Sequence, residues 1–195
     1  MNSGVRRREA LSVGWFFSCE CWRCADREEA GTNLSSFTCS GLSKRQDGWG
    51  GLTSQESSCP GLVTAVNILQ DSSDYRCEQC ATIFSSNLVT GLRDEVADML
   101  AMTDQSDVLG LEFLLEMYGT VLHGTNSIIL TIKRYLIYIY GRSSQCCTEE
   151  MLAKKIQFCG DILAVCDLVM PGLTRERGLT LYELVMAQVW LDSLL

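Results

Sequence analysis

The sequence has little histidine, little proline and no long apolar run. Among its 195 residues there is one histidine, His123, so chemistry that needs two imidazoles is excluded, two-histidine zinc fingers and HExxH metalloprotease sites included. With two prolines and a 21% charged fraction the chain is not wholly disordered, because its 47% hydrophobic content buries enough surface to offset the entropy of ordering. The most apolar stretch, Ser127 to Tyr140, is interrupted by Lys133 and Arg134 and falls well short of the roughly 20 apolar residues a membrane span requires. Near the N-terminus Arg6, Arg7 and Arg8 precede only a patchy apolar run, Leu11 to Phe17, with no small-residue cleavage pattern before Cys19, which is not the pattern of a secretory signal. These absences predict an intracellular protein of the cytoplasm or nucleus, with no membrane partner.

Positive charge is scarce as well. Residues 1–45 carry seven Lys/Arg and five Asp/Glu, whereas residues 46–195 carry nine and nineteen, for a net charge of -8 overall. A surface for nucleic acid needs clustered cations, so no nucleic-acid partner is expected. The acidic later part would instead select a protein or peptide segment of basic character.

Sulfur is what the chain has in quantity, with 11 cysteines. In a reducing compartment closely spaced cysteines read as metal ligands before disulfides, and an odd count fits that reading. Cys19-Glu-Cys21-Trp-Arg-Cys24 puts three sulfurs where they can wrap one tetrahedral zinc ion at Zn–S distances of about 2.3 Å. A fourth ligand must come from another cysteine of this chain or from one outside it. Cys77-Glu-Gln-Cys80 is a knuckle that needs a second pair, for which Cys39 and Cys59 are available. Between those two lies Ser40 to Ser58, a Gly- and Ser-rich stretch read as a flexible insertion. A redox role for the CxxC pair is the alternative, but no βαβ pattern surrounds it. The metal candidates are therefore Cys19, Cys21, Cys24, Cys39, Cys59, Cys77 and Cys80, with zinc as the ion.

The remaining candidates read as structural. Cys146 and Cys147 are adjacent in a loop and cannot both reach one ion, so they are expected as free thiols, whereas Cys159 and Cys166 fall on an apolar helical stripe and should be core. His123, just before Gly124, reads as a helix C-terminal cap. Lys133, Arg134, Lys154 and Lys155 read as solvated faces of amphipathic helices.

The chain changes character near residue 85. Before it the sequence is loop-rich and has no sustained helical period; after it apolar residues recur at spacings of three and four. Val108, Leu111, Leu115, Tyr118 and Leu122 form one stripe, and Leu152, Ile156, Cys159, Leu163, Cys166 and Met170 another. Ile129 to Ile139, Leu181 to Leu194 and a shorter candidate, Asn87 to Met102, bring the expected helices to five. Thr148 followed by Glu149 and Glu150 reads as an N-cap, and Gly124, Gly141 and Pro171-Gly172 as helix ends. Short connections predict antiparallel neighbours, so the expected fold is mostly α, an array of αα-hairpins behind a loop-rich, Cys-rich segment. The last stripe runs to Leu194-Leu195, which predicts a missing closing helix and poor solubility for the isolated chain.

Phe16-Phe17-Ser-Cys19-Glu-Cys21-Trp-Arg23-Cys24-Ala-Asp26, continued by Glu29-Ala30-Gly31-Thr32, resembles the post-SET cysteine motif of SET and MYND domain proteins, particularly of their arthropod branch. Arg27, Glu28 and Ala30 depart from that pattern. Asp71 to Cys80 is similar to the family's next cysteine knuckle, and Val121 to Asn126, Leu136 to Gly141, and Pro171 to Leu184 also resemble its segments. The resemblance implies a protein-lysine methyltransferase with a MYND module, a SET core binding S-adenosylmethionine, a post-SET zinc site and a tetratricopeptide-like helical domain. Of these only the last two are expected here: a post-SET-like segment over residues 1–38, a Cys-rich linker over 39–85 with the insertion 40–58, and a truncated helical domain over 86–195. The implied fourth post-SET ligand would belong to the SET core. S-adenosylmethionine is accordingly expected only in an intact parent protein, no catalytic residue is assigned, and the chain alone is expected to bind protein at most. A standalone zinc-stabilised adaptor for basic peptides is the alternative.

Overall fold

The computed structural model describes residues 4–46, 59–70, 72–142 and 146–194. Its chain order is α1 (Gly4–Trp15), α2 (Trp22–Ala25), β1 (Phe37–Thr38), α3 (Cys39–Gln46), β2 (Leu62–Ala65), β3 (Tyr75–Cys77), β4 (Ile83–Phe84), α4 (Ser86–Met102), α5 (Val108–Gly119), α6 (Ser127–Ile139), α7 (Glu149–Val169) and α8 (Arg175–Leu194). The fold is mostly helical, as the periodicity predicts, and it adds a small antiparallel sheet.

The helices after residue 85 begin where short polar side chains can satisfy the free amides of a first turn. Ser85, Asp107, Asn126 and Thr148 each accept from a backbone N–H within that turn, and Glu149 and Glu150 add negative charge at the start of α7. The end of α6 depends on Gly141. Its φ of +84° is left-handed, and a Cβ there would lie 2.4 Å from the Trp190 ring on α8, so backbone and packing both require glycine. Consecutive helices pack on one another, α7 most extensively on α8, with α5 on α6 and α6 on α7.

Four elements differ from what the sequence predicts. The Cys-rich half is not all loop: α1 precedes it, and β1 to β4 form one sheet in chain order, with Phe37 opposite Val63 and Val63 opposite Cys77. Residues 40–46, expected as the start of a flexible insertion, lie in α3, where Leu42 is fully buried; residues 47–58 lie outside the described residues. His123 does not cap a helix, because α5 ends at Gly119; its Nδ1 lies 2.7 Å from the Thr125 hydroxyl in the α5–α6 connector. Lys133 and Lys155 are buried, not solvated. Lys155 Nζ donates to the Tyr140 carbonyl (2.8 Å) and to Glu183 (2.6 Å) and lies over the Trp190 ring. The free carbonyls at the C-terminal end of α6 attract a cation, and packing α8 onto α7 removes that cation from water. Lys133 donates to Gly124 O and Asp161 in a similar seam.

One core serves both halves. Leu34, Phe37, Leu42, Val63 and Phe84 join Val89, Leu111, Tyr118, Ile132, Phe158 and Ile162 in a single buried cluster that also takes in Cys159 and Cys166. The α5–α6 connector holds the Cys-rich half on the helices through its backbone. Thr38 N donates to Val121 O (2.8 Å), His123 N to Ser36 O (3.2 Å), Ser127 N to Leu34 O (2.8 Å), and Asn126 Nδ2 to Ser36 O (3.1 Å). These bonds pin residues 34–38, and with them β1 and the first cysteine after it.

Candidate metal centres

Two clusters of sulfur result. In the first, the Sγ atoms of Cys39, Cys59, Cys77 and Cys80 all lie within 4.8 Å of one another. Nineteen residues separate Cys39 from Cys59, yet strand pairing makes them neighbours. Cys39 follows β1, Cys59 precedes β2, and Cys39 N donates to Gly61 O at 3.0 Å. Cys77 ends β3, and the turn to β4 carries Cys80 back over it, with Ala81 at φ +60°. Cys39 Sγ is 3.5 Å from Cys80 Sγ, and Cys59 Sγ 3.7 Å from Cys77 Sγ. A tetrahedron with Zn–S bonds near 2.3 Å has edges of about 3.8 Å, so the donor set and spacing fit a zinc ion.

The knuckles around this cluster aim dipoles at sulfur. Cys80 N donates to Cys77 Sγ at 3.5 Å, and the Thr82 hydroxyl lies 3.1 Å from Cys80 Sγ. The hydroxyl and amide of Thr82 are the main reason that the Cys80 thiol is lowered to about 6. Gly61 approaches so closely that a Cβ would stand 2.6 Å from Cys77 Sγ and 3.2 Å from Cys59 Sγ. Its amide lowers the Cys59 thiol, but burial and neighbouring thiols outweigh it and leave Cys59 raised. Burial, followed by the neighbouring sulfurs, raises Cys39 strongly. A cation among these sulfurs would override the upward shifts of Cys39 and Cys59, because it favours the thiolate at every position.

The second cluster has three sulfurs, Cys19, Cys21 and Cys24, also within 4.8 Å of one another. The single turn of α2 folds Cys24 back, its N–H donating to Cys21 O at 2.8 Å. The Cys24 amide, with the Cys19 side chain next, lowers the Cys21 thiol to about 7, whereas burial raises Cys24. The loop that follows is stapled by Asp26, which accepts from Glu28 N (3.1 Å) and Ala30 N (2.6 Å). Buried Glu29 in turn accepts from Gly4 N at the start of α1. That tie brings α1 against the cluster, where Arg7 Nη2 donates to Cys24 Sγ at 3.0 Å. Trp15, Phe16, Phe17 and Trp22 are exposed beside it, Phe16 at φ +57°.

Cys146 and Cys147 are half-buried in the α6–α7 connector and belong to neither cluster. Thr82, Gly61 and Arg7 were not singled out by spacing. The Cys-Pro-Gly run at residues 59–61 is a legible knuckle signal, whereas nothing local marks Arg7.

With this geometry in view, the comparisons with known proteins point to a SET-domain relative, loosely. No protein-family model matches the chain. The chain is 31% identical over 80 residues to the SET domain-containing protein SmydA-8, isoform A, of Drosophila melanogaster. The match covers 41% of this chain and 14% of that protein, so the chain spans a minor part of the relative's length. Among the described residues no helix is long and apolar enough to cross a membrane.

Proposed function

We propose that these residues are the post-SET-like zinc segment and the tetratricopeptide-like helical domain of a protein-lysine methyltransferase of the SET and MYND type. By themselves they bind protein and do not transfer methyl groups. The observation that carries the reading is the pair of cysteine clusters, one four-sulfur and one three-sulfur, ahead of a helical block in a chain similar to a SET-domain protein. The three-sulfur cluster and the exposed aromatics around it form the face on which a catalytic core would pack. Zinc would be held by Cys39, Cys59, Cys77 and Cys80 at one centre and by Cys19, Cys21 and Cys24 at the other. Its role is structural: it ties loop segments that have too little apolar surface to hold themselves.

Elemental analysis of the purified chain tests this, with two zinc ions per chain expected. Titration calorimetry with S-adenosylmethionine should give no heat of binding. Stoichiometric cofactor binding would defeat the non-catalytic reading, and a chain free of zinc would defeat the metal reading.

A further inference from the structure

The two clusters differ in charge as well as in sulfur count. A divalent ion on four thiolates has a net charge of -2, and the four-sulfur centre meets it with dipoles from Gly61, Cys80 and Thr82. An ion on three thiolates has a net charge of -1, and beside that cluster stands a full cation, the Arg7 guanidinium, 3.0 Å from Cys24 Sγ. Cys24 is the buried sulfur of the three, Cys19 being half-buried and Cys21 exposed. It is therefore the one whose anion loses most hydration, and the one a charge-assisted N–H···S bond helps most.

The placement of Arg7 is tied down at a second point. Gly4 N, one helical turn before Arg7, donates to Glu29, five residues after Cys24. The helix is thus fastened to the same loop that carries the sulfurs.

We propose that Arg7 is the positioning residue of the three-sulfur centre. Its guanidinium neutralises the tri-thiolate ion, fixes the Cys24 side chain and shields that sulfur from electrophiles. The inference rests on the zinc reading above. Outer-shell partners of metal ligands typically set affinity by 10- to 100-fold, and a cation on the buried ligand of an incomplete shell belongs among the stronger of them. Arg7 acts through Cys24 and does not itself touch the ion.

The test uses the whole chain loaded with zinc. Competition against a chromophoric chelator should resolve two ions in the native chain. Arg7→Gln should weaken one of them by about 10- to 100-fold and leave the other unchanged. Iodoacetamide, mapped by peptide mass, should then modify Cys24 faster while Cys77 stays protected. Arg7→Lys keeps the charge and should recover most of the affinity, whereas Arg7→Met keeps the aliphatic stem and should not, which separates charge from packing if the Gln variant loses helicity. Val5→Ala, on the same helix, should move neither reading. Unchanged affinity in Arg7→Gln and Arg7→Met would overturn the inference, as would tighter binding, which would make Arg7 a competitor of the ion. If the native chain bound one ion only, with Cys19, Cys21 and Cys24 all reactive, the zinc reading of this centre would fail and the inference with it.

Discussion

The four-sulfur and three-sulfur clusters are built from one residue type by opposite means. Cys39, Cys59, Cys77 and Cys80 are gathered from segments far apart in sequence by the β1-β2-β3-β4 sheet, whose inner face is continuous with the core of the helices. Cys19, Cys21 and Cys24 are gathered by local sequence alone, Cys19 and Cys21 ahead of the single turn of α2 that carries Cys24, and lean on α1. The first is part of the fold and the second is an appendage to it. An all-protein tetrahedron is complete in the first, while the second leaves a corner for another group.

The sharpest way to break that contrast is to remove one sulfur from each. Cys77→Ser should release one zinc and melt the sheet with it, because structural zinc binding of about 10–16 kcal/mol is folding energy in small cysteine sites. Cys21→Ser should release the other ion while the helical melting transition stays near its native temperature. Circular dichroism alongside zinc release checks both. Equal loss of stability in the two variants would erase the distinction.

Next in size is Lys155→Ala, which strands Glu183 in the α7–α8 seam and should cost about 3–5 kcal/mol in denaturant unfolding. Through the shared core this variant should loosen the four-sulfur centre, reported by faster zinc transfer to chelator, and leave the three-sulfur centre as it was. Gly61→Ala should be milder. Its Cβ would press on Cys77 Sγ at a cost of about 1–3 kcal/mol, as for overpacking generally, and only the affinity of the four-sulfur centre should fall.

The smallest effect concerns pH. Burial, with Lys133 second, lowers the pKa of His123 below its ordinary value. A histidine depressed in the folded state contributes stability that is present above the unfolded value, about 6.5, and is lost as pH falls through the folded one. Acidification across that range should therefore lower the melting temperature slightly and loosen the connector that grips residues 34–38. His123→Gln should flatten this part of the profile.

Much of the helical half was legible because its signals are local. The stripe from Leu152 to Met170 and the Thr148 cap are written in consecutive residues, and they correspond to α7 and its start. The end of α6 at Gly141 is legible for the same reason, although its second cause, the Trp190 ring, is not. Lys155 was misread because a helical stripe states which face is apolar and says nothing about which polar residue a later helix will cover. In the candidate site, the grouping of Cys19, Cys21 and Cys24 could be read from spacing. Cys39 and Cys59 could be named as the second pair because the Cys77-Cys80 knuckle needs one, but not how they meet, since the register of Phe37 on Val63 closes the gap that the sequence opens.

By itself, then, the sequence determined the class of the fold, the positions of the long helices and the identity of the sulfurs that could serve as ligands. Those properties follow from periodicity, capping and residue chemistry, each acting over a few bonds. Tertiary structure alone decided how Cys39 and Cys59 are brought together across nineteen residues, that Lys155 is buried, and that Arg7 faces Cys24. Such contacts are set by long-range packing, in which burial of the common core, with no local preference involved, selects the neighbours of each side chain.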